Sequence, residues 1–111
     1  MALSDTAKNS MLDELGTLIT HIGTSNAGTE TSGGSYARQA VAWDAAASGS
    51  MAMTGTETIP IPAGATINRI ILRGHLSNGT PDYGFGTITQ EVFGGAGTYQ
   101  VTAITITLSD A

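Results

Sequence analysis

The sequence has no cysteine, few aromatic residues and few charged residues. Without cysteine, a disulfide framework, a thiolate metal site and a cysteine nucleophile are all excluded. Charged residues make up 12% of the chain, and nine acids against four lysines and arginines give a formal net charge of −5. A protein that binds nucleic-acid phosphates needs a basic stripe, so this charge balance argues against a nucleic-acid partner.

Long apolar runs are also missing. None approaches the roughly 20 residues needed to cross a bilayer, so no membrane partner is expected. Residues 1–10 show no charged segment followed by an apolar block, which predicts a soluble protein made in the cytoplasm. A chain of 111 residues is expected to form a single domain, 1–111, with one modest core.

Glycine and threonine are the abundant residues, with 15 glycines and still more threonines. Chains of this kind are typical of β-sandwiches whose sheets are partly covered by neighbours. An isolated cytosolic enzyme normally carries more lysine and glutamate for solubility. The composition therefore favours a subunit that packs against other subunits, with an ordinary threonine-rich β-domain as the alternative. The one tryptophan, Trp43, is the predicted core anchor.

The longest apolar run, 66–75, predicts the central strand of the fold. In a strand successive side chains point to opposite faces, so Ile70 and Leu72 should share one face and Ile67 and Ile71 the other. A strand that is apolar on both faces is usually central in its sheet or covered on both sides. A helix is the alternative, but β-branched isoleucines favour a strand.

Five more segments with alternating or short apolar patterns predict strands. They cover residues 17–22, 36–43, 51–61, 83–93 and 99–108. Two of the five are expected to be divided, one near Gly55 and one as a strand pair, so the total is about seven or eight short strands. Residues 17–111 are thus predicted to form an all-β fold, an antiparallel β-sandwich of jelly-roll-like type.

Turns and breaker residues separate these strands. Residues 23–35 are small and polar without periodicity, which predicts a mobile contact loop. Asn78 and Gly79 predict a tight hairpin, and Pro60 predicts a strand at a sheet edge. In the last strand the apolar face switches near 102–104, which predicts a bulge or a crossing from one sheet to another.

One amphipathic helix is predicted over residues 1–15, as part of an N-terminal helix or arm that covers 1–16. Ser4 or Asp5 is the expected N-cap, and Gly16 stands where a helix commonly ends. The helix either lies on its own sheet or docks on a neighbouring subunit. Its apolar stripe, at spacings of three and four, consists of Leu3, Ala7, Met11, Leu15 and Leu18.

No catalytic, cofactor-binding or metal-binding set is found in the sequence. His21 and His75 are the only histidines, no serine lies in a G-x-S-x-G motif, and no short ligand spacing points to zinc. Each histidine is interpreted as a half-buried, hydrogen-bonded strand residue. The sequence therefore argues against an enzyme and predicts no cofactor.

Arg69 and Arg73 lie four residues apart on the central strand and should share one face. Pairing with Glu57 or Glu91 across the sheet is the simpler interpretation. Binding of an anion or of an acidic partner surface is the alternative. The predicted interface residues are Leu3, Ala7, Met11, Arg69 and Arg73.

Several segments together resemble a family of short virion proteins of tailed bacteriophages, often labelled tail fibre or minor structural proteins. The segments are MALSDTAKNSMLDELG, ITHIG, SGGSYARQAVAW, IPAGATINRI and FGGAGTYQVTAITITL, in the same order over most of the chain. The family members have a longer loop after the first strand, where this sequence reads GTSNAGTETSGGS.

The resemblance implies a non-enzymatic virion structural protein, a compact β-sandwich that is a homo-oligomer and is assembled in the host cytoplasm. A capsid decoration or minor capsid protein that packs on the major capsid protein is the first expectation. A protein associated with the tail is the alternative. A carbohydrate-binding module, with Tyr36, Tyr83 and Tyr99 as its stacking platform, is the second alternative.

Overall fold

A computed structural model describes residues 2–109, which form a mostly β structure with one helix and antiparallel sheets. The elements are α1 (Asp5–Leu18), β1 (His21–Asn26), β2 (Thr29–Glu30), β3 (Gln39–Ala40), β4 (Ser50–Ala52), β5 (Glu57–Ile61), β6 (Thr66–Arg73), β7 (Asp82–Val92), β8 (Gly97–Val101) and β9 (Thr105–Thr107). The chain measures 48 × 24 × 24 Å along its principal axes. The described part of the chain has no helix long and apolar enough to cross a membrane.

The helix is capped as predicted, but it begins and ends later than the predicted span 1–15. The Ser4 hydroxyl accepts a hydrogen bond from the backbone N–H of Ala7 at 3.2 Å, which caps the first turn. Residues 2–4 are not helical, and Met1 lies outside the described residues. The predicted end at Gly16 is wrong, because the helix continues to Leu18. Gly16 is needed for close packing instead: a Cβ there would lie 3.0 Å from the sulfur of Met51.

Only part of the predicted apolar stripe lies on the buried side of the helix. Leu12, which is not in that stripe, is the buried residue of α1. Leu3 is 42% exposed and Met11 is 53% exposed, and Leu18 is also exposed, whereas Leu15 is half-buried and packs against the core. The helical period therefore located the buried side of the helix only in part.

Polar side chains attach α1 to its own domain. Asn9 accepts a hydrogen bond from the Gly49 N–H at 2.9 Å, and Asp13 accepts one from the Ala46 N–H at 2.8 Å. Both acceptors lie on the inner face, which is why the apolar pattern did not reveal it. The helix therefore lies on the loop before β4 and on β4 itself.

The main sheet has the order β2-β1-β6-β7, and β3 also pairs with β1. The prediction that the isoleucine-rich segment is a central strand is confirmed, since β6 pairs with β1 on one side and with β7 on the other. The faces of β6 differ from the prediction. Ile67 packs in the same core cluster as Ile70 and Leu72. A register shift between Ile67 and Arg69 breaks the alternation, and Ile71 is buried on the opposite face.

The boundaries predicted for the first strand and the following loop are wrong. Residues 17–18 belong to α1, and β1 runs through Asn26. A two-residue turn at Ala27 and Gly28 leads into β2, so 23–35 is not one mobile loop. The small polar residues are required here because Thr24 and Ser25 are fully buried in the sheet.

The smaller sheets pair β4 with β9 and β5 with β8. Pro60 lies in β5, which pairs only with β8 within residues 2–109, so the edge prediction is confirmed. The predicted crossing near 102–104 is also confirmed, because the chain leaves β8 there and enters β9 in another sheet. Trp43 is half-buried against the core, and its indole N–H donates to the Ile19 carbonyl at 3.0 Å.

The connection between β6 and β7 is not the predicted tight hairpin. Residues 74–81 form an irregular loop that contains a cis peptide bond before Pro81. Gly84 has the positive φ, 112°, and lies at a register shift, as expected for a bulge. The segment predicted as a strand pair, 83–93, forms one long strand, Asp82–Val92.

Candidate functional site

A buried arginine organises one face of the main sheet. Arg38 is 5% exposed, and its Nε and Nη2 atoms donate to the two oxygens of Glu30 at 2.7 and 2.6 Å. Its Nη1 donates to the backbone carbonyls of His75 and Asn78. The Tyr36 hydroxyl donates to Glu30 at 2.7 Å. The two-pronged geometry matches the planar guanidinium to the carboxylate and holds the β6–β7 loop in place.

The protonation states of these groups follow from their contacts. Burial alone would raise the pKa of Glu30, but hydrogen bonds from Arg38 and Tyr36 outweigh it and hold that pKa below its ordinary value. The hydrogen bond to Glu30 raises the pKa of Arg38 against the effect of burial. Burial and the Glu30 hydrogen bond raise the pKa of Tyr36 far above its ordinary value. Glu30 is thus ionised, and Arg38 is charged.

A cavity of about 410 Å³ adjoins this network. It is lined by Glu30, Thr31, Ser32, Gly33, Tyr36, Ala37, Arg38, Leu76 and Ser77. The charged groups that reach it are already paired with each other, and Arg38 in addition binds two carbonyls. The arrangement fixes the position of strands and loops, because the hydrogen bonds of the guanidinium are directed at protein atoms.

The two histidines have different surroundings. His21 is half-buried, and its Nδ1 lies 2.9 Å from the Thr20 hydroxyl, so its interpretation is confirmed. His75 is exposed in the β6–β7 loop, not in a strand, and its Nδ1 accepts from the N–H groups of Ser77 and Asn78 at 3.0 and 3.1 Å. Residues 2–109 contain no group of three or more potential ligands that could hold a metal ion.

The lowered pKa values predict a loss of stability in acid. Burial, Arg38 and His75 lower the pKa of His21 below 6.5, and the pKa of Glu30 is below 4.5. Each group binds protons more readily in the unfolded chain, so folding is most stable above pH 6.5 and weakens as each group is protonated. Urea unfolding midpoints should fall between pH 6.5 and 4.5, and fall further below it. In a His21→Asn variant the first part of this decline should shrink; an unchanged decline would contradict the His21 contribution.

The long edge strand is the second prominent feature. In residues 2–109, β7 pairs with β6 on one side only, so the N–H and C=O groups of its outer edge are not used in the sheet. Its 11 residues contain no lysine and no proline, and Phe85 and Val92 are 53% and 70% exposed. Natural proteins usually block such an edge with charges, prolines or a covering element. The two charged residues of β7, Asp82 and Glu91, stand near its ends, so the residues between them carry no blocking charge or proline.

An apolar groove of about 240 Å³ lies beside this edge. Its walls are residues 85–88 of β7 and residues 103–106, and its floor includes Ile70 and Leu72 of β6. The groove and the free edge strand share residues 85–88, so we treat them as one surface. We call this surface, residues 85–88, 103–106, Ile70 and Leu72 with Val92, the edge surface.

The predicted interface residues are not brought together. Ala7 and Met11 lie on α1, which packs against β4, and Leu3 lies just before that helix, whereas Arg69 and Arg73 lie on β6. Arg73 pairs with Asp82, and the Arg69 guanidinium stacks 3.9 Å from the Phe85 ring centre. The predicted pairing of these arginines with Glu57 or Glu91 is wrong. In the sheet Arg73 pairs with Asp82 and Arg69 pairs with Thr87, whereas Glu91 pairs with Ile67. The pattern of a single strand does not reveal these partners.

The Glu30–Arg38 pair was missed by sequence reasoning. A weak signal existed, because strand alternation already placed Tyr36 and Arg38 on one face. Glu30 lies in the segment that the sequence predicts to be a mobile loop, so the sequence pattern does not pair it with Arg38. The three tyrosines are all half-buried and pack against the core.

No protein-family model, curated protein or solved structure matches this chain. The geometry and the residues therefore carry the functional argument.

Proposed function

We propose that this protein is a non-enzymatic structural subunit of a tailed-phage virion, most simply a capsid decoration or minor capsid protein. In this proposal the chain is a jelly-roll-like β-sandwich that packs on the major capsid protein and on copies of itself. The observation that carries the proposal is the edge surface, with its unpaired strand and exposed apolar side chains. The sequence resemblance to short virion proteins supplies the biological setting.

One shared core supports the two-layer arrangement. Ile22 and Ile70 from the main sheet pack in the same cluster as Ile59 and Val101 from the β5–β8 sheet. Sheets that share one apolar core in this way form the two layers of a sandwich. In this proposal, a rigid sandwich with an unpaired edge strand suits a protein that increases the buried area between larger subunits.

The low charge of the chain also supports a packing role. Only 12% of residues are charged, so few charged side chains have to be removed from water when subunits pack closely. An exposed edge strand supplies main-chain hydrogen bonds to a partner, and the apolar groove supplies specificity through side-chain fit. Neither the strand pairing nor the side-chain fit in the groove requires a covalent bond to be made or broken.

Imaging purified particles that carry a label on this protein tests the proposal. Hundreds of copies per particle on the head are expected for a decoration protein. A handful of copies at the tail would support the alternative of a tail-associated protein. Absence of the protein from purified virions would contradict both.

A charge placed on the edge surface should block assembly without unfolding the subunit. In a Val92→Lys variant, incorporation into particles should fall at least about tenfold, because a lysine on an edge strand opposes strand addition. Thr58→Lys on β5 is the matched control, because Thr58 is also an exposed strand residue. Equal incorporation of both variants, with unchanged circular dichroism, would exclude the edge surface as the contact.

A further inference from the structure

A small pocket on the outer face of the main sheet shares only Phe85 with the edge surface. Its volume is about 160 Å³, and it spans β1, β6 and β7. Ser25 and Arg69 are partners in the pairing of β1 with β6. Arg73 lies four residues further along β6, on the same face of the strand. The full lining consists of Ser25, Gly28, Arg69, Ile71, Arg73, Asp82, Gly84 and Phe85.

Two buried donors in this lining have no partner. Ser25 is 1% exposed, and its hydroxyl makes no hydrogen bond within residues 2–109. The Nε of Arg73 is also buried and unpaired in the described part of the chain. A buried polar group without a partner is destabilising, and native structures contain few of them. Two such donors lining one pocket indicate an acceptor ligand.

The charges around the pocket favour an anion. Asp82 accepts a hydrogen bond from Arg73 and offsets the charge of that guanidinium. The positive charge of Arg73 also helps to lower the pKa of Glu30. Arg69 makes no ion pair with any of residues 2–109, and its guanidinium is held over the Phe85 ring. One guanidinium without an ion pair and two donors without a partner thus line the same pocket. A guanidinium with additional N–H or O–H donors is the usual protein site for carboxylate and phosphate oxygens.

We propose that Ser25, Arg69 and Arg73 form a binding site for a small oxyanion, a carboxylate or a phosphate. The Ser25 hydroxyl and the Arg73 Nε donate to it, and Arg69 supplies the unpaired positive charge. The volume of about 160 Å³ admits such a group or the tip of an acidic side chain and excludes a nucleotide. This site does not depend on the proposed virion function.

An amide NMR titration of the full chain tests the proposal with three probes at constant ionic strength set with sodium chloride. The probes are inorganic phosphate, acetate, and a short peptide with one aspartate, compared with the same peptide carrying asparagine. Saturable shifts centred on Ser25, Arg69 and Arg73 are expected. Saturation by the free ions assigns a small-molecule ligand, and saturation by the aspartate peptide alone assigns a carboxylate on a partner protein. If none of the three probes shifts these resonances at millimolar concentrations, the proposal is overturned.

Two variants separate binding from folding. Arg69→Met keeps an apolar stem on Phe85 and should weaken anion binding about tenfold or more. Lys8→Met on α1 removes the same charge elsewhere and should leave the affinity within about twofold. Ser25→Ala should weaken binding about threefold to tenfold while the unliganded variant is at least as stable as the parent, because an unpaired buried hydroxyl is removed. If Ser25→Ala lowered stability and left the affinity unchanged, the hydroxyl would have only a structural role.

Discussion

Replacement of Glu30 by leucine is expected to lower the free energy of unfolding by about 3 kcal/mol, since it leaves the charge of Arg38 buried without its carboxylate. The Arg38 side chain is 2% exposed, so water cannot replace the lost partner. The two loop carbonyls still accept from Nη1, which keeps the effect at the lower end for a broken buried pair. Urea unfolding at neutral pH measures the change.

A second substitution in the same pair tests the cause. Arg38→Met added to Glu30→Leu removes the stranded charge, so the double variant should be more stable than Glu30→Leu alone. Glu91→Gln on the exposed β7 strand is the control and should stay within about 0.5 kcal/mol of the parent. A Glu30→Leu variant as stable as this control would show that the pair does not hold the face of the sheet together.

The parts of the fold that sequence reasoning predicted are those set by local rules. The Ser4 cap depends on atoms three residues apart, and Pro60 excludes a central strand because it has no N–H to donate. The switch near 102–104 was visible because strand alternation changes phase there. Each of these signals lies within a few residues of the feature that it predicts.

The parts that could not be predicted depend on distant partners. Much of β1 resembles a loop in the sequence, because Thr24 and Ser25 are small and polar. Both residues are buried only through the packing of the folded chain. Gly23 shows the same dependence: a Cβ at that position would collide with the Tyr36 hydroxyl, 13 residues away in sequence. Ile67 lies on a different face of β6 from the one that alternation predicts, because a register shift intervenes. The pattern of a single strand does not reveal such a shift.

The candidate site was predicted in part. Arg69 and Arg73 were correctly placed on one face of the central strand, and anion binding was one of the two interpretations of that pair. Ser25 could not be added, because its pairing with Arg69 depends on the register of β1 against β6. The edge surface was equally hidden, since only the strand order shows which strand has a free side.

Truncation of the helix cannot serve as a clean test of an interface on α1. Leu12 is fully buried and Leu15 packs against the core, so deletion of residues 1–15 would uncover the domain itself. Point substitutions at exposed positions on the helix and just before it separate the two roles, because Leu3 and Met11 are exposed. The interface prediction for Leu3, Ala7 and Met11 then becomes testable in a folded protein.

Leu12→Ala is expected to lower the free energy of unfolding by about 3 kcal/mol, because it removes three buried carbons and leaves a cavity between α1 and β4. Met11→Ala, one residue away on the same helix, should change it by less than about 0.5 kcal/mol, because Met11 is 53% exposed. Thermal and urea unfolding of the two variants, compared with the parent, measure the difference. If Met11 contacts a neighbouring subunit, its alanine variant should instead lose particle incorporation while it keeps full stability. Equal destabilisation by the two variants would mean that the helix lies on its domain through a different face.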